Sequence, residues 1–212
     1  MIVDLTHRLR HGFPAYPGDA AFALQPARTL PADGYNACEL SGGLHVGTHI
    51  DVPSHLLADE RTIADFPLTA FIGRGVLLRA KNAPSDALCR AAADVVMAND
   101  MILIETGWDE RLGQPDYFTG HPCLHDGLAD ILLSARIAFI GLDTPSPDAP
   151  PFTLHKRLLA AGVPLGENLT DLGALSSALP DTGLAVTGFE VFAIPLRMEA
   201  EASYARIFAR LP

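Results

Sequence analysis

The sequence predicts an α/β fold of the α+β kind, with one mixed, curved or barrel-like β-sheet and helices at its periphery. Segments with strand character outnumber those with helical character. Several are short apolar runs, such as residues 101–105, that are typical of buried strands. The 212 residues contain no repeat, linker or low-complexity segment. We therefore expect a single domain over residues 1–212, which would bury roughly 70% of its unfolded surface.

The N-terminal half is predicted to contain mainly strands and loops. Residues 2–6 form a first strand, and residues 11–19 form an ordered loop because they contain two prolines and two glycines. A turn at residues 33–36 leads into a strand near 37–41. The apolar triplet at 76–78 predicts a buried strand within residues 68–79.

The C-terminal half alternates helices with strands. The predicted helices are residues 87–98, 126–135 and 153–161, the last stopped by Gly162. The predicted strands are residues 101–105, 136–143, 184–187 and 190–198. Pro195 in the last of these indicates a sheet edge or a bulge.

Composition and charge indicate a globular protein with a small-molecule partner. Hydrophobic residues make up 49% of the chain and charged residues 19%, as in folded domains. The net charge of −10 argues against nucleic acids and anionic membranes as partners. The N-terminal segment lacks the apolar core of a secretory signal, and no run reaches the ~20 apolar residues of a membrane span. Three widely spaced cysteines fit no disulfide framework, so we expect a cytoplasmic protein.

The segment from His45 to His55 carries the strongest functional signal. His45, His49, Asp51 and His55 occupy odd positions, with mostly apolar or β-branched residues between them. This alternation predicts a strand with the potential metal donors on one face. A helix would also bring His45 and His49 together, but Gly47, a proline and several β-branched residues disfavour it.

A metal site here requires a bend in the chain. In a straight strand, His45 and His49 would lie about 13 Å apart, and Gly47 is the residue that permits a bend. Imidazole and carboxylate suit zinc or manganese better than copper(I). The alternative is an ordinary strand with partly buried histidines, which a single histidine would favour. Three histidines and an aspartate within eleven residues favour a metal site instead.

The remaining ligands are open on the residues alone. A catalytic metal needs an open position, which leaves His55 as a base or a fourth ligand, while Asp51 could bridge two ions. Five histidines are nearly equal candidates for ligands of a second ion; they are His7, His11, His121, His125 and His155. No single glutamate stands out as a further ligand. Residues 121–125 also alternate histidine and cysteine, but Pro122 and the helical run after them favour a helix-entry loop.

The segment resembles the signature of the metal-dependent cyclase family of hydrolases, which includes bacterial kynurenine formamidases and isatin hydrolases. It matches His-x-Gly-Thr-His-x-Asp-x-Pro-x-His at every position. The similarity runs from Tyr-Pro-Gly-Asp at residues 16–19 through Gly-Leu-Asp-Thr-Pro-Ser at 141–146. It weakens at residues 201–206, where Glu-Ala-Ser-Tyr-Ala-Arg replaces the more usual Gly-Ser-Pro-x-Arg. The resemblance implies a swivelling β/β/α fold, one or two zinc ions per chain with manganese as the alternative, and a homodimer or higher homo-oligomer.

The resemblance also implies roles for individual residues. His155 and Glu167 match the family pattern of Leu-His followed, twelve residues after the histidine, by Glu-Asn-Leu. Tyr16 stands where kynurenine formamidases have a tryptophan that lines the substrate pocket. The implied assignment is His45 and His49 on a first ion, His155 on a second, Asp51 and Glu167 shared by both, and His55 as proton donor and acceptor.

The predicted function is metal-assisted hydrolysis of a carbon–nitrogen bond in a small aromatic amide, with His55 passing a proton to the leaving nitrogen. The resemblance implies an arylformamidase that converts N-formylkynurenine to kynurenine and formate, a step of tryptophan catabolism. Hydrolysis of a cyclic amide or lactone, such as isatin, is one alternative. The other is a metal-binding protein without turnover. His55 argues against it, because a closed set of four structural ligands needs no fifth group.

Overall fold

The computed structural model describes residues 1–212 as ten strands and five helices. The strands are β1 (Ile2–Asp4), β2 (Ala23–Arg28), β3 (Ala37–Ser41), β4 (His49–Asp51), β5 (Ile72–Arg79), β6 (Met101–Glu105), β7 (Phe139–Leu142), β8 (Leu165–Glu167), β9 (Ala185–Pro195) and β10 (Ala202–Arg210). The helices are α1 (Leu30–Asp33), α2 (Ser85–Val95), α3 (Asp126–Ala135), α4 (Thr153–Ala160) and α5 (Leu172–Ala178). Short 3₁₀ turns occupy Pro53–His55, Ile63–Asp65, Leu68–Phe71 and Trp108–Arg111. No helix has the length and apolar character needed to span a membrane.

Eight strands form one sheet, and seven of them close into a barrel. The strand order is β1-β10-β4-β8-β7-β6-β5-β9, and β9 pairs with β10 as well as with β5. Neighbouring strands from β5 to β8 run parallel, whereas the other pairs are antiparallel. Closure leaves no free edge within the ring of seven. The predicted mixed, barrel-like sheet is therefore confirmed.

Two apolar clusters lie on opposite sides of the barrel wall. Leu77 and Leu103 belong to the cluster that fills the barrel, whereas Val76 and Ile102 pack with residues of α2, α3 and α4. Successive strand residues point to opposite faces, so β5 and β6 are covered on both. This double burial explains why these strands are continuous apolar runs in the sequence.

The C-terminal strands differ most from the prediction. Residues 184–187 and 190–198 were expected as two strands, but β9 is one strand that continues through Gly188, whose φ is 98°. The register between β5 and β9 shifts between Gly75 and Leu77, so this part of the pair contains a bulge rather than a chain reversal. Pro195 is the last residue of β9. Strands β2, β8 and β10 lie outside the segments predicted as strands.

Candidate metal centre

Strand β4 determines where the site lies. It runs between β8 and β10 in the barrel wall. Ile50 packs into the barrel core, so His49 and Asp51, at the alternate positions, face the outside. Glu167 on β8 is paired with His49, and the first turn of α4 brings His155 to the same side.

Gly47 supplies the predicted bend. Its φ is 62°, in the left-handed region that glycine enters without steric cost. The strand is correspondingly shorter than the alternation suggested, since only His49–Asp51 pair as β4. The bend brings the rings of His45 and His49 to 5.1 Å between centroids. The expectation that the two histidines meet through a bend at Gly47 is confirmed.

Asp51 lies at the centre of the cluster and has no exposed surface. Its Oδ1 is 3.0 Å from His45 Nδ1 and 3.4 Å from His49 Nε2. Its Oδ2 is 3.4 Å from His155 Nε2 and 3.8 Å from His55 Nε2. Each carboxylate oxygen therefore faces two imidazoles, the arrangement expected of a carboxylate that can bridge two cations.

Glu167 closes the other side of the cluster. Its Oε2 lies 3.5 Å from His49 Nε2, and its Oε1 lies 3.7 Å from His155 Nδ1. Two groups of three residues could each hold an ion, because within each group the ligand atoms lie within 4.8 Å of one another. One group is His45, Asp51 and His55, and the other is His49, Asp51 and Glu167. Asp51 belongs to both. The structure thus brings together all six residues predicted from the sequence, but it groups His55 with His45.

The position of His55 corrects one sequence-based argument. In an extended chain the Cα atoms of Asp51 and His55 would lie roughly 13 Å apart, a distance that suits a proton-transfer residue better than a metal ligand. Instead, Pro53–His55 form a 3₁₀ turn, which folds the ring back against the cluster. Its centroid is 4.2 Å from that of His45. Distance therefore does not separate His55 from the ligand candidates, and its proton-transfer role stays a prediction.

The cluster fits a divalent cation because it leaves buried polar atoms without partners. Five such atoms have no partner in hydrogen-bonding geometry; they are His49 Nε2, both carboxylate oxygens of Asp51, His155 Nε2 and Glu167 Oε1. Leaving buried donors or acceptors unpaired costs about 1–3 kcal/mol each. Imidazole and carboxylate are the donors that zinc and manganese accept. A bound cation would satisfy the set.

The same contacts shift the proton affinities of the metal-free side chains. Burial opposes ionisation of Asp51, but its close contacts with His49, His155 and His45 outweigh burial and hold its pKa well below the usual range. Burial lowers the pKa of His45, yet the carboxylate of Asp51 outweighs it and raises the value to about 9. Burial lowers the pKa of His55 to about 4, because the attraction of Asp51 is offset by the neighbouring histidines. His55 is therefore neutral near pH 7.

A cavity of about 240 Å³ opens onto the cluster. Tyr16 and Phe118 form part of its wall, with their rings in edge contact at 5.7 Å, so Tyr16 is at the predicted place. None of the lining residues is a lysine or arginine; they are Tyr16, Asp19, His45, His49, His55, Leu56, Phe118, Pro145, Ser146, Phe152, His155, Glu167 and Asn168.

Several lining residues were not identified from the sequence. Phe118 and Phe152 lie in loops with no periodic signal, and Asn168 was recognised only as part of the Glu-Asn-Leu pattern. Of the other candidate histidines, His125 caps α3 by accepting a hydrogen bond from Gly127 N at 3.1 Å. Neither it nor His7, His11 or His121 belongs to the metal cluster. The helix-entry interpretation of residues 121–125 is confirmed.

The chain is similar to known proteins over its full length. Kynurenine formamidase from Paracidovorax citrulli is 29% identical, and the match covers 100% of this chain and 97% of the relative. Kynurenine formamidase from Geobacillus thermodenitrificans is 27% identical over 79% of this chain and 81% of its own. The solved structure of isatin hydrolase A from Labrenzia aggregata, bound to benzyl benzoate, superposes with a TM-score of 0.82 at 24% identity, covering 100% of this chain and 93% of that one. The family model described as "Putative cyclase" matches residues 3–149, and this protein therefore belongs to the putative cyclase family.

Proposed function

We propose that this protein is a metal-dependent hydrolase that cleaves the carbon–nitrogen bond of a small aromatic amide. The proposal rests on the five buried atoms of the Asp51 cluster that could bind a metal and have no hydrogen-bond partner. They lie at the end of a cavity with aromatic walls. The two kynurenine formamidase relatives support the same reaction class. We propose His45, His49, Asp51, His155 and Glu167 as ligands of one or two ions, zinc first and manganese second.

The cavity suits a flat ring attached to an uncharged acyl group. Tyr16, Phe118 and Phe152 offer aromatic faces and edges, which pack well against an aromatic substrate. The relatives favour an arylformamidase reaction, in which N-formylkynurenine is hydrolysed to kynurenine and formate. One observation supports the alternative of a neutral cyclic amide such as isatin. The lining has no lysine or arginine to hold the carboxylate of an amino-acid substrate.

The chain's own residues supply substrate positioning and proton transfer. A bound divalent ion lowers the pKa of water and polarises a carbonyl group. His55 is neutral and lies beside Asp51, so its free ring nitrogen accepts the proton of the attacking water. The water oxygen bonds to the acyl carbon, the carbon–nitrogen bond breaks, and the imidazolium of His55 returns the proton to the leaving nitrogen.

Turnover by the metal-loaded protein tests the proposal. Protein reconstituted with zinc or with manganese would be assayed on N-formyl arylamines, including N-formylkynurenine, on isatin and on lactones. We expect hydrolysis of at least one amide, with stoichiometric metal by elemental analysis and loss of activity after chelation. Metal binding without turnover of any of these compounds would favour the non-catalytic alternative. The absence of stoichiometric metal after reconstitution would contradict the whole scheme.

We also propose a homodimer or larger homo-oligomer in the cytoplasm. The β2–β3 hairpin pairs with no other strand. Leu30 and Tyr35, between its two strands, and Leu40, on β3, expose more than half of their surface. A second copy of the chain could cover them. Cys38, Cys89 and Cys123 are unpaired, which suits a reducing compartment. Light scattering at micromolar concentration tests the assembly, and a monomer would end that part of the proposal.

A further inference from the structure

The backbone of Asn168 has a left-handed conformation and is fixed by hydrogen bonds on both sides. Its φ of 52° is left-handed, a conformation that asparagine tolerates better than most residues. Its backbone N–H donates to Thr144 O at 2.9 Å, and its carbonyl accepts from Thr48 Oγ1 at 2.6 Å. The residue follows Glu167 directly and is 5% exposed, with that surface facing the cavity.

Tyr117 fixes which way the Asn168 amide points. The Tyr117 side chain is buried, and its hydroxyl donates to Asn168 Oδ1 at 2.8 Å. A phenol is protonated near neutral pH, and burial raises the pKa of Tyr117 further. The buried hydroxyl proton needs an acceptor, and the Asn168 side chain is its only partner. The amide oxygen must therefore face Tyr117.

The amide nitrogen is consequently directed away from Tyr117 and remains free. Asn168 Nδ2 donates to no protein acceptor, and it is not among the buried atoms that lack a partner. It is therefore open to the cavity that Asn168 lines. A fixed, uncharged N–H donor beside a cationic centre is suited to a neutral oxygen, because a carbonyl accepts a hydrogen bond without requiring a counter-charge.

We propose that Asn168 Nδ2 binds the carbonyl oxygen of the substrate and that Tyr117 is the positioning residue that orients this amide. The inference rests on the proposed amide hydrolysis, because it names the acyl oxygen as the group recognised. The Asn168 amide would thus be a hydrogen-bond donor, supplied by the chain itself, that helps to stabilise the charge on the acyl oxygen. A donor held in place before the reaction loses no free energy to reorientation as negative charge develops on that oxygen.

The turnover test uses four variants with metal content verified. Asn168→Gly removes the donor and tolerates the left-handed backbone, which alanine would not. We expect kcat/KM to fall about 10²-fold for Asn168→Gly and about five- to tenfold for Tyr117→Phe. The kcat/KM of the double variant should be no lower than that of Asn168→Gly, because Tyr117 acts through the Asn168 amide.

Tyr204→Phe is the matched control. It loses a hydroxyl bonded to Gly43 O at 2.7 Å, outside the cavity lining, and should keep wild-type kcat/KM. Additive losses in the double variant would reduce Tyr117 to a structural residue and contradict its role.

A measurement without turnover separates this inference from the proposed function. Metal-free protein would be mixed with formanilide carrying an isotope-labelled carbonyl, and the carbonyl stretch of the bound ligand would be recorded by infrared difference spectroscopy. A hydrogen bond weakens the C=O bond, so we expect a lower frequency in wild type than in Asn168→Gly, with Tyr117→Phe between them. Equal affinities and equal frequencies in wild type and Asn168→Gly would overturn the inference. A frequency difference in a protein that hydrolyses no amide would support the inference and contradict only the proposed function.

Discussion

His55 occupies a position from which two chemical roles are open. Its Nε2 is 3.8 Å from Asp51 Oδ2, and its side chain is 27% exposed, whereas those of His49 and His155 are 1% and 3% exposed. Its pKa of about 4 keeps the ring neutral, as both a ligand and a general base require. Its Nε2 is not among the enclosed unpartnered atoms, whereas those of His49 and His155 are. This difference in access separates His55 from His49 and His155 but not from His45, whose side chain is 22% exposed, so the proton-transfer role of His55 stays a prediction.

Two histidine variants distinguish the roles. We expect His55→Ala to retain its metal and its fold while kcat falls about 10²–10⁴-fold, the usual contribution of general acid–base catalysis. His49→Ala should lose metal and activity together, because His49 Nε2 is buried between Asp51 and Glu167. Metal stoichiometry, circular dichroism and kcat would be measured for both. A His55→Ala protein that no longer holds metal would make His55 a ligand.

Tyr16 is predicted to affect substrate binding rather than the metal. Its ring meets Phe118 edge-on at 5.7 Å in the cavity wall. Tyr16→Ala should raise KM for an aromatic substrate without changing metal content, because it removes ring contact and leaves the cluster intact. Tyr16→Phe is the matched control and should keep wild-type KM, since the Tyr16 hydroxyl makes no hydrogen bond within the chain. An unchanged KM in Tyr16→Ala would return the residue to simple packing.

At the scale of elements, the turn at Gly47 is what allows β4 to begin at the metal cluster. A Cβ at this position would lie 2.4 Å from Leu9 Cδ2, in addition to the cost of φ 62°. Gly12 has a similar φ of 71° with nothing within 4 Å. Gly12→Ala should therefore cost only the left-handed backbone, about 1–2 kcal/mol.

Gly47→Ala should lose more stability than Gly12→Ala and should also bind metal more weakly, since the bend sets the distance between His45 and His49. Urea unfolding of the metal-free proteins and zinc titration would measure the two effects separately. Equal losses of stability and unchanged zinc affinity in both variants would show that the bend does not depend on glycine.

The residue pattern alone predicted the bend but not the whole cluster, since His155 and Glu167 were identified only through the family resemblance. Gly47 has a local signal because only glycine enters φ > 0 freely. The return of His55 depends on a 3₁₀ turn at Pro53, and a proline permits either an extended or a turning chain. Strand β8 has only three residues, too few for a periodicity to be detected. Asn168 owes its orientation to Tyr117, which lies 51 residues away.

At the scale of the molecule, the sequence predicted the buried strands and a barrel-like sheet, but it did not predict which strands pair to close the barrel. Strands β5, β6 and β7 are apolar on both faces and are recognisable as continuous runs. The barrel closes because β10 pairs with both β4 and β9, and the β4 contacts join distant parts of the chain and leave no local pattern. In β10, every second residue from Ala205 to Ala209 faces the barrel interior; these residues are Ala205, Ile207 and Ala209. Because two of the three are alanines, the strand has no strongly apolar run in the sequence.

The charges of the cluster should also set the pH dependence of folding in the metal-free protein. His45 has a folded pKa of about 9 against about 6.5 in the unfolded chain. Its attraction to Asp51 is fully present below about pH 6.5 and is lost as pH rises towards 9, because the unfolded chain releases its proton first. His55 acts in the opposite direction. Its folded pKa is about 4, so the unfolded chain binds a proton below about pH 6.5 at a pH where His55 in the folded protein is still neutral. Stability therefore falls as pH drops below about 6.5.

The metal-free protein should therefore be most stable near pH 6.5, within the range governed by these two histidines. The loss towards pH 9 is at most about 3 kcal/mol from His45, and partial solvent exposure of its ring reduces it. Urea unfolding of chelator-treated protein across this range would measure the free energy of unfolding. His45→Gln should flatten the alkaline side, and His55→Gln should flatten the acidic side. Binding of zinc should show the opposite trend on the alkaline side, because a cation must displace the His45 proton and gains affinity as pH rises. Alkaline loss of stability that persists unchanged in His45→Gln would refute the assignment of this proton to the metal cluster.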